Sequence, residues 1–239
     1  MLLKAFLDIL FPPLCHGCRE FIPDAGELHL CADCLEGSPL LASPCCPVCG
    51  KPFLTEGGID HICSDCIGKP PPFTAARGAV HYAGAVRELV HRFKYGGKVQ
   101  LCRPLALLAA GPLAAFAAES CADCIMPVPL HRKRLRQRGF NQAVLLGDIL
   151  AGKWSLPQFR HNLRRTRWTE PQIQLTARER RENVAGAFAL QDAAAVRGRR
   201  IILVDDVYTT GSTAAECART LRGAGAEAVF VVTVARAVV

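Results

Sequence analysis

The sequence contains no run of about 18 apolar residues without a charge, which is the length that a membrane-spanning helix requires. Its apolar N-terminal stretch is short and is interrupted by Lys4 and Asp8. A cysteine cluster follows at once, without the small-residue cleavage site of a secretory signal. We therefore expect a docked N-terminal helix over residues 1–14 and a cytoplasmic protein.

Large apolar side chains are scarce in residues 15–68, so this segment cannot fold on a hydrophobic core alone. It carries four Cys-x-x-Cys pairs instead, and two such knuckles complete one four-thiolate shell. The spacing predicts two sequential ribbons, each closed by a structural Zn²⁺ on which its folding depends. The predicted ligands are Cys15, Cys18, Cys31 and Cys34 in the first ribbon, and Cys46, Cys49, Cys63 and Cys66 in the second.

The cysteine pattern leaves some alternatives open. Cys45 adjoins Cys46 and is able to replace it, and the four pairs are able to cross-brace instead of pairing in order. Thiolates also hold iron–sulfur clusters, which makes such a cluster a minority alternative to zinc. A fifth pair, Cys121 and Cys124, has no partner pair nearby, and we interpret both as buried or half-buried thiols.

Charge is distributed unevenly along the chain. The formal net charge is +8, yet residues 1–75 contain nine Asp or Glu against four Lys or Arg. The basic excess therefore belongs to the rest of the chain and favours a polyanionic partner, either a phosphate compound or nucleic acid. The acidic N-terminal part is expected to dock on the basic part or on another protein.

A proline-rich linker, residues 69–75, precedes a second domain, residues 76–239. There the apolar pattern predicts strands at 77–82, 122–129, 200–207 and 227–235, and helices at 84–95, 101–118 and 141–151. A basic turn is predicted at 131–138. A polar excursion over 158–190 is either disordered or a functional lid, and we favour the lid. Alternating strands and helices are typical of an α/β fold with a parallel, Rossmann-like sheet.

The strand at 200–207 ends in two carboxylates, Asp205 and Asp206. A short hydroxyl-rich turn then enters a helix, where backbone N–H groups and the helix dipole favour a phosphate. The predicted phosphate-binding residues are Thr209, Thr210, Gly211, Ser212 and Thr213. Paired carboxylates accept hydrogen bonds from vicinal sugar hydroxyls or approach Mg²⁺. The segment therefore predicts a sugar-phosphate site at the carboxyl edge of the sheet.

Two basic runs precede this site in the sequence. The first is His131–Arg138; the second is Arg160–Arg167, and Trp168 follows it directly. A charge run is usually a solvated surface. Here the first run follows a strand end on the same rim as the two carboxylates, and Trp168 offers a stacking surface among cations. Pyrophosphate and single-stranded nucleic acid are both suitable counter-ions.

The Asp-Asp turn closely resembles the phosphoribosyl-pyrophosphate (PRPP) motif of type I phosphoribosyltransferases. Over nearly its whole length the chain resembles the ComF family, through its cysteine knuckles, Phe93–Gly96, Pro127–Leu130 and Arg138–Gln142. The resemblance implies a type I phosphoribosyltransferase-like α/β fold with a small N-terminal zinc-ribbon module. It also implies pyrophosphate, lid or nucleic-acid roles for Lys94, Arg138, Asn141, Arg165, Gln172 and Arg178.

By the same resemblance, the chain binds PRPP with Mg²⁺ and handles single-stranded DNA in natural transformation. A helicase-like ATPase and a DNA-processing protein are the implied partners, and related folds often form homodimers. No side chain is identified as a base for an acceptor. Two alternatives therefore remain: a non-catalytic adaptor that binds PRPP and DNA, and a branch of the family linked to gluconate uptake and iron–sulfur metabolism.

Overall fold

In the described residues of the computed structural model, 12–23, 26–53, 55, 57–169 and 176–238, four parallel strands form a central sheet. The strands of the chain are β1 (Ala75–His81), β2 (Cys124–Pro127), β3 (Leu163–Arg165), β4 (Phe188–Leu190), β5 (Arg200–Tyr208) and β6 (Ala228–Arg236). The sheet order is β1-β6-β5-β2, and every neighbouring pair is parallel. β3 and β4 form a separate antiparallel pair. The predicted parallel α/β architecture is confirmed.

Helices connect these strands. They are α1 (Ala32–Glu36), α2 (Ser64–Gly68), α3 (Gly84–Tyr95), α4 (Cys102–Ala110), α5 (Ala114–Glu119), α6 (Arg132–Arg138), α7 (Gln142–Trp154), α8 (Ala177–Val184) and α9 (Ser212–Gly223). Short 3-10 turns lie at Val99–Leu101 and Ala194–Val196. In the described part of the chain, no helix has the length and apolar character that crossing a membrane demands.

The strands are buried on both faces because helices cover both sides of the sheet. On β5, Ile202 and Val204 join the core that is formed with α3, α4 and α7. Their neighbours Ile201 and Leu203 join the opposite core, which contains the apolar residues of α9. Side chains alternate across a strand, so a continuous apolar run fills two cores at once.

Two predicted elements differ from the structure. The helix predicted for 101–118 is divided into α4 and α5 by a turn at 111–113. The basic turn predicted for 131–138 is a helix, α6, which His131 caps by accepting a hydrogen bond from the Lys133 N–H at 3.2 Å. Its Arg, Lys, Gln and Leu residues are all good helix formers. The segment has too few apolar residues to show a helical periodicity, so the apolar pattern did not predict a helix there.

The cysteine-rich module packs on the sheet instead of standing apart from it. Leu40 pairs with Val80 at the free edge of β1, and the Leu41 N–H donates to the Ala79 carbonyl at 2.9 Å. The division at 69–75 stays a prediction. Residues 1–11 of the predicted N-terminal helix lie outside the described residues, and Leu14 forms a β-bridge with Phe21 instead of a helical turn.

Candidate active site and metal centres

The cysteine knuckles bring together two groups of four thiols in which all ligand atoms lie within 4.8 Å of one another. The groups are Cys15, Cys18, Cys31 and Cys34, and Cys46, Cys49, Cys63 and Cys66. The pairs therefore combine in order, without cross-bracing. Cys45 lies outside the second group, and its Sγ contacts Asp60 Oδ2 at 3.8 Å instead.

Against the effect of burial, backbone N–H groups lower the pKa of one thiol in each group, Cys15 and Cys46. Cys46 Sγ accepts from the N–H groups of Cys49 and Cys63 at 3.5 and 3.4 Å. Burial acts to raise the pKa of Cys46, but these backbone hydrogen bonds lower that pKa to about 6, which favours the thiolate. Four thiolates suit a tetrahedral Zn²⁺, and four protein ligands close the shell to substrate. The donor sets therefore fit structural zinc.

Asp205 and Asp206 lie near the carboxyl end of β5, at the edge where parallel sheets bind ligands. Asp206 is 2% exposed, and its Oδ1 pairs with Lys94 Nζ at 2.8 Å. Its Oδ2 is buried and has no hydrogen-bond partner among the described residues. A buried carboxylate oxygen without a hydrogen-bond donor is suited to accept a hydrogen bond from a ligand hydroxyl.

The electrostatics of the acidic pair are unusual. Burial and the neighbouring Asp206 carboxylate raise the pKa of Asp205 to about 7, although Lys94 acts to lower it. Burial alone would lower the pKa of Lys94, but the Asp206 and Asp205 carboxylates raise it. Lys94 therefore stays charged and holds the pair in place.

The residues after β5 form a turn into α9 and are called the phosphate loop, residues 209–213. Gly211 has a φ of 72°, and a Cβ there would clash with the Tyr208 hydroxyl oxygen, so only glycine fits. The hydroxyls of Thr210 and Ser212 lie 2.8 Å apart. The N-cap residue of α9, Gly211, has no side chain, and the Ser212 N–H donates only a long hydrogen bond of 3.4 Å to Thr210 Oγ1. The N-terminal dipole of α9 is directed at the loop.

A cavity of about 250 Å³ joins the acidic pair to this loop. Its lining includes Lys94, Arg165, Asp205, Asp206, Thr209, Gly211, Ser212 and Thr213, all of which the sequence predicted for the site. Arg165 Nε is buried without a hydrogen-bond partner among the described residues. The cavity thus combines carboxylate acceptors on one side with cations and a helix N-terminus on another. This combination suits a ligand that carries both hydroxyls and phosphates.

Comparison with known proteins agrees with these features. Residues 6–67 match the family model described as a double zinc ribbon domain. The DNA utilization protein YhgH of Escherichia coli (strain K12) is 35% identical over 225 residues, which cover 92% of this chain and 95% of that protein. The chain belongs to the ComF family. Another relative, competence protein F of Haemophilus influenzae, is 36% identical over 66% of this chain and 70% of its own length. Competence protein ComFC of Bacillus subtilis is 27% identical over 80% of this chain and 77% of that protein.

Solved phosphoribosyltransferases also match this ComF-family chain. Glutamine PRPP amidotransferase from B. subtilis matches with a TM-score of 0.33 and 24% identity, over 50% of this chain and 24% of that chain. Orotate phosphoribosyltransferase from Aeropyrum pernix matches with a TM-score of 0.31 and 19% identity, over 65% and 67% of the two chains. Scores of this size support no functional argument.

Some predicted residues of the ComF-family chain lie behind the cavity or beyond the described residues. Arg138 donates to Gln142 Oε1 at 2.6 Å and stacks on Tyr95, both of which line the cavity. Asn141 caps α7 through the Ala143 N–H at 3.0 Å, which is a structural role. Gln172 lies outside the described residues, as does the side chain of Arg178.

Other residues that line the cavity were not predicted from the sequence. They include Arg134 on α6 and Arg180 on α8, together with Tyr82, Tyr95 and Thr233. Both arginines belong to basic stretches that we recognised only as a whole. A helical assignment for 131–138 would have placed Arg134 and Arg138 on one face, four residues apart.

The two basic runs meet at Trp168. Lys133 Nζ lies 4.8 Å from the Trp168 ring centroid, and the Arg134 guanidinium lies 5.7 Å from it. His131 approaches the same ring edge-on, with centroids 5.4 Å apart. We call α6 with Trp168 the basic surface. It adjoins the cavity because Arg134 belongs to both.

Thiols outside the metal centres divide between surface and core. Cys124 and Cys217 are buried, and Cys102 is half-buried. Cys121 is exposed, so our interpretation of it as a buried or half-buried thiol was wrong. It lies in the turn before β2 and adopts a positive φ of 46°.

Proposed function

We propose that this protein binds PRPP with Mg²⁺ and transfers its phosphoribosyl group, acting on or with single-stranded DNA or nucleotides. The observation that carries the proposal is the Asp205–Asp206 pair beside Lys94, with Asp206 buried, in one cavity with the phosphate loop. Acceptors for sugar hydroxyls and donors for phosphate are thereby close enough to engage one ligand.

Each part of the cavity has a proposed role. Asp205 and the unpartnered Oδ2 of Asp206 accept hydrogen bonds from the ribose hydroxyls. The amide groups at the start of α9 and the hydroxyl of Ser212 hold the 5-phosphate. Cationic side chains, among them Arg165, face the pyrophosphate.

In the proposed reaction, the bond from the anomeric carbon of ribose to pyrophosphate breaks and a bond from that carbon to the acceptor forms. Positive charge develops on the ribose while pyrophosphate leaves with the bonding electrons. Asp205 and Asp206 stabilise that positive charge, and Arg165 stabilises the leaving group. When bound with PRPP, Mg²⁺ supplies further charge neutralisation, and the oxygen donors of Asp205 and Asp206 suit it chemically.

The involvement of DNA is proposed from two sources. Relatives carry the names DNA utilization protein and competence protein. The basic surface has cations grouped around Trp168, an arrangement that suits a base stacked beside a charged backbone. We therefore propose a role in DNA uptake. From the family resemblance we also propose a cytoplasmic location, a helicase-like ATPase and a DNA-processing protein as partners, and a homodimer as the assembly.

A non-catalytic adaptor is the second candidate. The basic surface favours it, because that surface is able to bind a strand without any chemistry at Asp205. In this case PRPP binding would signal to a partner and no pyrophosphate would be released. Fold alone does not decide between the two.

Pyrophosphate release from PRPP and Mg²⁺ tests the proposal, with and without single-stranded DNA and a panel of bases. The control is the Asp205→Asn/Asp206→Asn variant, whose amides keep the shape of the site but remove its charge. Acceptor-dependent release that vanishes in the variant supports transfer. PRPP binding without release supports the adaptor, and absence of PRPP binding contradicts both.

A further inference from the structure

Arg236, the last residue of β6, connects the second ribbon to the sheet. It is only 6% exposed. Its Nη1 donates to the Cys49 carbonyl at 2.6 Å, and its Nη2 lies 3.7 Å from Cys49 Sγ. Cys49 is a predicted zinc ligand of the second group, so Arg236 contacts the metal-binding knuckle itself.

The same guanidinium stacks on Tyr208, with its central carbon 4.3 Å from the ring centroid. Arg236 and Tyr208 are register partners at the ends of β6 and β5. Phe73 packs edge-on against the Tyr208 ring, at a centroid distance of 6.4 Å. The ring of Tyr208 is therefore held from two directions.

Tyr208 in turn supports the phosphate loop. The clash that a Cβ at Gly211 would make with the Tyr208 hydroxyl shows that the loop backbone lies directly against the phenol. The contacts form an unbroken series from Cys49 through Arg236 and Tyr208 to Gly211. All four residues also line one groove of about 920 Å³ between the second ribbon and the loop.

Metal binding fixes the first residue of this series. A zinc knuckle takes up its fold when the metal is bound, so the position of the Cys49 carbonyl depends on the second group of thiols. Four thiolates and one divalent cation also carry a net negative charge, which stabilises the buried guanidinium of Arg236.

We propose that Arg236 is a positioning residue through which the metal of the second ribbon fixes the phosphate loop. The role of the loop in binding phosphate rests on the proposed function, whereas its dependence on the metal does not. Loss of the second metal releases the Cys49 carbonyl, loosens the Arg236–Tyr208 stack and so loosens Gly211. The first ribbon has no part in this series of contacts.

Hydrogen exchange on the full zinc-loaded chain tests the proposal. Cys63→Ser/Cys66→Ser removes the second site and Cys31→Ser/Cys34→Ser removes the first, and metal analysis should show one zinc in place of two in each case. The second-site variant should raise exchange at residues 208–213 at least about tenfold, as the loss of a charge-assisted hydrogen bond would. The first-site variant should leave those residues within about twofold of the parent. Equal effects of the two variants would overturn the proposal.

Arg236→Met tests whether loss of the second metal affects the phosphate loop through Arg236 or through a general loosening of the fold. Alone, it should raise exchange at 208–213 as much as loss of the second site does. Added to the second-site variant, it should raise exchange no further, because both changes break one series of contacts. Additive effects would show independent routes and contradict the proposal. Arg236→Lys keeps the buried positive charge but lacks the planar guanidinium group. If the Met variant does not fold, Arg236→Lys takes its place in the same comparison of single and combined variants.

Calorimetry with PRPP and Mg²⁺ keeps the two proposals distinguishable. Weaker PRPP binding in the second-site variant, with normal binding in the first-site variant, supports both. A parent protein that does not bind PRPP contradicts the proposed function, while the exchange result still decides the role of Arg236.

Discussion

The Lys94–Asp206 pair is the residue-scale feature on which the candidate site most depends. The Asp206 carboxylate is almost fully buried, and Lys94 lies 2.8 Å away. Burying a charge is costly unless a partner of opposite sign compensates it. Such a pair at a cavity wall fits the ligand-binding role that we propose for this site.

Lys94→Gln should destabilise the fold by about 3 kcal/mol, because it leaves the buried Asp206 carboxylate without its cation. Denaturant unfolding measures this loss. Asp206→Asn added to the same variant should recover part of it, since the buried charge is then gone.

The matched control is Lys153→Gln. Lys153 forms an exposed pair with Glu27 at 3.8 Å, and such pairs contribute less than about 1 kcal/mol. Similar losses in the two lysine variants would contradict the role we assign to Lys94.

Asp205 makes stability depend on pH. Its pKa is raised from 3.8 to about 7, so the folded state keeps the proton to higher pH than the unfolded state does. Stability therefore falls as pH rises from about 4 to 7 and stays reduced above that range.

Asp205→Asn should relieve this cost and stabilise the protein at pH 8 by at least about 1 kcal/mol, since one pKa unit corresponds to about 1.4 kcal/mol. The gain should shrink toward pH 4. Denaturation series across that range measure it, and a gain that does not vary with pH would refute the explanation.

At the scale of elements, the phosphate loop depends on one glycine. Gly211→Ala should destabilise the fold by about 2 kcal/mol, because Ala at a positive φ is strained and its Cβ meets Tyr208. It should also weaken PRPP binding, which calorimetry measures.

Gly152→Ala is the matched control for this change. Gly152 lies inside α7, and a Cβ there meets nothing within 4 Å. That variant should be neutral or stabilised by up to about 1 kcal/mol and should bind PRPP normally. If Gly211→Ala binds PRPP as well as Gly152→Ala does, the loop does not hold the phosphate.

The ribbon module also contributes contacts that stabilise the domain containing the sheet. Ser38, just after the first ribbon, donates to the Ala83 carbonyl at 2.7 Å and accepts from the Val86 N–H at 3.3 Å. A residue outside α3 thus caps that helix, because Ala83 has no side chain able to do so. Cys15 also belongs to the main hydrophobic core.

Chelation should therefore unfold residues 15–68 and also loosen β1, the first turn of α3 and residues 208–213, while the amino-terminal part of β6 stays protected. A ribbon module independent of the sheet would leave residues 76–239 unaffected by chelation. Hydrogen exchange with and without EDTA distinguishes the two expectations. Protection of β1 that does not change on chelation would contradict the structural one.

At the scale of the whole molecule, charge is separated in space. The acidic ribbons cover the free edge of β1, and the basic surface lies near the carboxyl end of β2. A negative ligand approaching this protein is therefore directed toward α6 and the cavity.

Binding of single-stranded DNA should weaken steeply with salt, and Lys133→Glu should reduce the slope of log affinity against log salt by at least about 0.7. Arg197→Glu is the control, since Arg197 is exposed and precedes the amino end of β5, on the opposite rim. Fluorescence anisotropy over a salt series measures both variants. Equal slopes would place the DNA elsewhere.

The sequence by itself determined what is encoded over short distances. Each Cys-x-x-Cys knuckle is local, so the spacing identified the four thiol pairs, whereas the structure decided which pairs combine. The contiguous strand, Asp205–Asp206 pair and Gly211 turn form one βα unit. The alternation of strands and helices likewise implied a parallel sheet.

Only the tertiary structure decided which distant residues share the site. Lys94 meets Asp206 because the carboxyl ends of α3 and β5 come together at that point, and Arg134 reaches the cavity because 131–138 is a helix. Arg236 meets Cys49 across 187 residues of chain. Periodicity and spacing describe contacts within one element. Which elements become neighbours depends on strand order and crossovers, and these three contacts join different elements.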